Sequence, residues 1–118
     1  LRLDRALSGT DVQWVYDEMA CTWSEHNASN FEAILRATAT SDAPSEADLA
    51  TIEQPVGLAA STDDPLHPLV VAQTWAAAIP RAALRSDSMA AFGNDRGLLG
   101  ANAWSALEAA LDDVAMPR

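Results

Sequence analysis

Pro55-Val56-Gly57-Leu58-Ala59-Ala60-Ser61-Thr62-Asp63-Asp64-Pro65 is the stretch whose reading settles the architecture. Its first half is short, continuously apolar and free of the polar spacing of a helix surface. Pro55 bounds it on one side and a polar turn from Ser61 to Pro65 on the other. That pattern predicts a buried strand of a parallel sheet. Downstream, Pro68 stands at the first position of a helix, where its missing N–H costs nothing. Val70, Val71, Thr74, Trp75, Ala78 and Ile79 line one side of that helix, and Pro80 ends it. Ala82-Ala83-Leu84-Arg85-Ser86 follows as a second strand, with alanine a poor strand former. After the polar loop Gly93-Asn94-Asp95-Arg96, a last helix is expected over residues 96–114, with Trp104, Leu107, Leu111 and Val114 as its stripe. Gly97 and Gly100 weaken its first turns.

Upstream the pattern is helical. Thr10 and Gln13 have capping-box spacing, and Val12, Val15, Tyr16, Met19, Ala20 and Trp23 form one apolar stripe, predicting a helix over 10–23. Ser29 and Glu32 repeat the capping spacing before a second helix over 29–39, with Phe31, Ile34, Leu35 and Thr38 facing inward. The breaker Ala39 to Pro44 separates it from a short third helix. Ser45 caps that helix, Asp48 is its third residue, and Leu49 and Ile52 face inward.

The order of elements makes the fold class α/β: three helices, then strand, helix, strand, helix, with a right-handed crossover. A two-stranded parallel sheet is not self-sufficient, because parallel strands belong to larger sheets covered on both faces. The sheet is therefore expected to be completed by another chain or by more of a longer protein. A first residue that is Leu1 and not Met fits a chain that begins partway through something larger, or one that was processed.

Composition narrows the function classes. The chain has 118 residues, 49% of them hydrophobic, enough to bury a core. Seventeen acidic residues against seven basic ones, all arginine, give a formal charge of −10, which repels phosphate backbones and anionic lipid. Neither a nucleic-acid nor a membrane partner is expected, and no apolar run approaches the roughly 18 residues of a span. The single cysteine, Cys21, allows no internal disulfide, so nothing argues for an oxidising compartment and a cytoplasmic location is expected. Cys21 and His26 are an isolated pair without metal-ligand spacing, and no cofactor is expected.

The segment from Ile52 to Ala72, continued by Ile79-Pro80-Arg81-Ala82-Ala83-Leu84, resembles the end of an α/β-hydrolase. In that family a penultimate buried strand opening with Pro-Val ends in a G-x-x-D-x-x-x-P turn that carries the triad acid. An alanine-rich helix and an "IP-x-A-x-L" run lead into the final strand. The resemblance covers residues 46–112, with residues 1–45 a looser match to the family's inserted helical cap. It implies a cap-like segment over 1–50 and the C-terminal β-α-β-α part of the hydrolase core over 51–118, with an incomplete parallel sheet. It places Asp64 as the triad acid, which would orient a histidine while a serine attacks an ester, thioester or amide carbonyl. Asp63 is the neighbour that could be mistaken for it, and the plain reading makes both turn formers before Pro65.

Two members of the triad are missing. The nucleophile elbow G-x-S-x-G is absent and in family order would precede Leu1. The triad histidine should follow the final strand, yet no histidine occurs after His67. His67, beside Pro68, reads as structural or solvent-exposed. His26, in the presumed cap, is a base candidate weighed against an ordinary loop histidine. The expected function is thus that of part of an α/β-hydrolase-fold protein acting on a small acyl substrate, inert alone and partnered by the missing N-terminal half. The alternative is a non-catalytic helical module that self-associates through apolar faces a missing sheet would cover. An acidic partner for a basic protein would rest on net charge alone.

Overall fold

The computed structural model describes residues 12–25 and 27–115, and among these the chain is α/β, with six helices and a two-stranded parallel sheet. It divides into two compact units, Leu1–Ala43 and Pro44–Arg118.

The first unit is helical. Helix α1 (Gln13–Glu25) half-buries Trp14, Val15 and Met19, whereas Tyr16 and Trp23 are exposed. Thr10, the expected cap, lies outside the described residues. Helix α2 (Ala28–Thr40) starts one residue before the expected Ser29 because Asn27 takes the cap. The Asn27 Oδ1 accepts from the Ser29 backbone N–H (3.0 Å) and its hydroxyl (2.6 Å), and it is this i→i+2 geometry that starts the helix. The Trp23 and Phe31 rings meet at 5.7 Å between centroids, tilted by 53°. Ile34 and Leu35, read from sequence as inward, are 50% and 54% exposed.

The second unit holds the buried core: Leu49, Ile79, Met89, Phe92, Ala106 and Ala110. Its short helix α3 (Glu46–Leu49) is set by the capping box that the spacing predicts. The Ser45 Oγ accepts from the Asp48 N–H, and the Asp48 carboxylate accepts from the Ser45 N–H, each at 3.1 Å. Strand β1 (Val56–Ser61) leads through helix α4 (Leu69–Ala78) to strand β2 (Ala82–Asp87), parallel to β1 with Val56 opposite Ala82 and Ser61 opposite Asp87. Val56 and Thr62 donate their N–H groups to the Arg81 and Asp87 carbonyls at 2.8 and 2.9 Å. In a parallel ladder, alternate residues turn their backbone groups to one neighbour. Gly57, Ala59 and Ser61 therefore present theirs to the outer edge, which no described strand covers. Every residue of β1 is accordingly only half-buried.

Three features of this unit depart from the sequence reading. In α4, Pro68 is the N-cap and not the first helical residue, and Val70 and Val71, placed by the sequence on one side with Trp75 and Ile79, are 62% and 49% exposed. Helix α5 (Met89–Asn94) was not expected; Ser88 caps it by accepting from the Ala91 N–H, and it buries Met89 and Phe92. Helix α6 (Leu98–Ala115) lies along both strands on only part of the predicted stripe: Leu107 is half-buried with its backbone against Gly57, and the Val114 side chain lies outside the described residues. Trp104 and Leu111 are 62% and 48% exposed, whereas Ala106 and Ala110 are buried. The cause is at Gly57, where α6 comes so near that a Cβ would lie 2.7 Å from the Ala103 carbonyl oxygen and 2.8 Å from the Leu107 Cα. Side chains alternate along a strand, so Gly57, Ala59 and Ser61 share that face. Small residues on both partners let helix and sheet approach, and α6 turns its bulky side chains elsewhere.

Candidate functional site

The C-terminal end of a strand is where open α/β sheets place ligand sites, and here the polar turn after β1 meets the loop after β2. The extension of the ladder by Thr62 holds these two segments side by side. Two adjacent carboxylates then separate in role. Asp63 Oδ1 accepts from the Ser61 hydroxyl (2.8 Å) and from the Met89 backbone N–H (2.7 Å), stapling the end of β1 to the start of α5. Nearby, the Asn102 side-chain amide donates to Asp87 Oδ2 at 2.8 Å, so β2 is tied to α6 as well.

Asp64 is held differently. Its Oδ1 accepts from the backbone N–H groups of Leu66 (2.7 Å) and His67 (3.2 Å), closing the turn. Its Oδ2 lies 2.9 Å from His67 Nδ1. The Asp64 side chain is 17% exposed and that of His67 83%. Burial opposes ionisation of Asp64, but the hydrogen bonds from the His67 ring and the two N–H groups outweigh it and hold the carboxyl below the usual carboxylate range. An ionised, immobilised carboxylate against an imidazole can fix the ring and stabilise its protonated form.

Comparison with protein-family models, curated proteins and solved structures finds no match to this chain. Its chemistry must therefore be read from the site.

Of the residues singled out in the sequence, Asp64 sits at the end of β1 in contact with His67, whereas His26 lies outside the described residues. The sequence reading of His67 as structural or solvent-exposed agrees with its 83% exposure but does not include the contact with Asp64; the D-x-x-H spacing across a Pro-bounded turn is the signal for that contact. Asp63 was treated as a decoy for Asp64, and its staple to Met89 has no sequence signal, because its partner lies 26 residues away. Among the described residues, no group of three or more His, Cys, Asp or Glu side chains is placed to hold a metal ion. Cys21 is exposed and free. A surface depression bordered by Ser29, Glu32, Arg36 and Thr40 lies along α2, but its one carboxylate, Glu32, already pairs with Arg36 at 2.9 Å. Among the described residues no helix is long and apolar enough to cross a membrane.

Proposed function

We propose that this chain is the cap and C-terminal portion of an α/β-hydrolase-fold protein whose complete form acts on carboxylic esters, thioesters or amides, and that the 118-residue chain alone is inert. The observation that carries this reading is the anchored, ionised Asp64 at the C-terminal end of a parallel strand whose outer edge no described strand covers. A parallel pair so exposed needs further strands beside it. An acid at that end of that strand is what the resemblance of residues 46–112 requires of the triad. The deciding test is the coding sequence upstream of Leu1. An in-frame apolar strand followed by G-x-S-x-G supports the reading, and a stop codon directly before Leu1 overturns it. The isolated chain should turn over p-nitrophenyl acetate no faster than buffer with free imidazole at the same concentration.

A second reading, a self-associating module without catalysis, is favoured by the large apolar side chains left outside: Val70 is 62% exposed and Trp104 62%. Light scattering after size exclusion bears on both readings. A monomer that melts cooperatively counts against the open-sheet picture, because a free edge and apolar patches invite association.

A further inference from the structure

We propose that the base of this acyl-transfer site is His67, oriented by Asp64, and that no histidine beyond β2 is required. The inference rests on the hydrolase reading for its substrate class, activated acyl esters or thioesters, and on geometry for the assignment itself. The turn after β1 is already closed by Asp64 Oδ1, which takes the N–H groups of Leu66 and His67. Nothing in that closure uses the imidazole. The 2.9 Å contact between Oδ2 and Nδ1 is therefore an addition to the turn and not one of its structural needs.

That contact sets the chemistry of the ring. With Nδ1–H donated to the carboxylate, the lone pair is left on Nε2, on a side chain that is 83% exposed. The pair is also preorganised by its covalent surroundings. Asp64 precedes Pro65 and His67 precedes Pro68, so both backbones are restricted to extended conformations. In the second loop the Met89 N–H is bonded to Asp63 and Asp87 Oδ2 to Asn102, so neither of these groups orients the imidazole. No histidine occurs from residue 68 to the end of the chain. In the step proposed, Nε2 takes the proton of a serine hydroxyl supplied by the remainder of the fold. The serine oxygen bonds to the acyl carbon, and the carbonyl electron pair moves onto oxygen. When that pair returns, the bond to the leaving alkoxide or thiolate breaks, and Nε2 delivers its proton there. Asp64 stays ionised throughout as the positioning residue.

The test uses the 118-residue chain and needs no serine. Long-range 15N–1H correlation spectra of the wild-type chain should show His67 as the Nδ1–H tautomer. Diethyl pyrocarbonate, followed by peptide mass mapping, should acylate His67 faster than His26 in the same molecule. Asp64→Asn should lower the His67 rate about fivefold and leave His26 unchanged, the difference between a charge-assisted and a neutral hydrogen bond. Asp64→Glu should restore part of it. A wild-type His67 found as the Nε2–H tautomer overturns the proposal without any variant, as does a folded Asp64→Asn chain acylated at the wild-type rate. Either failure leaves Asp64 able to serve another histidine, so the hydrolase reading falls only on the upstream sequence, and the His67 result stands apart from it.

Discussion

Gly57→Ala isolates the closest approach in the second unit. The new Cβ would sit 2.7 Å from the Ala103 carbonyl oxygen and 2.8 Å from the Leu107 Cα, and nearer still to the Leu107 amide nitrogen. All three are backbone atoms of α6, so no side-chain rotation relieves the contact. To restore ordinary van der Waals separation the helix must retreat by roughly 0.5–1 Å, which forfeits a quarter to a half of the dispersion energy along the contact. Overpacking of this kind costs about 1–3 kcal/mol, and the lower chain entropy of alanine in the unfolded state returns about 0.4–1 kcal/mol. The expected result is a net loss of about 1–1.5 kcal/mol, a fall in melting temperature of roughly 5–10 °C for a unit of this size. Urea unfolding followed by tryptophan fluorescence measures it. Gly100→Ala is the control: it has open space around its Cβ position and lies within α6, so it should stabilise by about 0.5–1 kcal/mol. A Gly57→Ala chain as stable as the wild type would refute the packing of α6 against β1.

Asp63→Ala should cost about 2 kcal/mol by removing the carboxylate that accepts from both the Ser61 hydroxyl and the Met89 N–H, and thermal melts of variant and wild type measure it. The Asp64 carboxyl is held below its ordinary value, so its contribution is complete above the unfolded-state pKa of about 3.9 and is lost as pH falls from there through the folded value. The melting-temperature gap between wild type and Asp64→Asn should thus narrow as pH falls below about 4 and close as Asp64 protonates in the folded chain. A gap that widened as pH fell from about 4 to 2 would contradict the sign. Ser45→Ala removes one half of the α3 capping box and should lower the melting temperature by roughly 5 °C, read by circular dichroism.

How far these features were legible varies with the range of the interaction that fixes them. The Ser45/Asp48 box, the strand from Val56 and the helix at Pro68 are local patterns, and each stands within a residue of where its spacing places it, Pro68 being the N-cap and Leu69 the first helical residue. The inward face of α6 was misread because an apolar stripe is weighted by bulk, and Trp104 and Leu111 outweigh Ala106 and Ala110. The decisive constraint was a glycine nearly fifty residues earlier on β1, which only the packing connects to that helix. Helix α5 was missed though Ser88, Met89 and Phe92 carry a cap and an i, i+3 apolar pair, because six residues are too few for a periodic signal. At the site, Asp63 and Asp64 are equivalent in the sequence, both turn formers before a proline; their different roles come from which backbone amides the fold brings to each.

The Asp63 staple makes the Met89 amide an informative proton. Asp63, from the turn after β1 and not from within α5, accepts from it, so its protection depends on a contact 26 residues away in sequence. Solvent exchange at this single position would then report how long the turn after β1 stays joined to the start of α5.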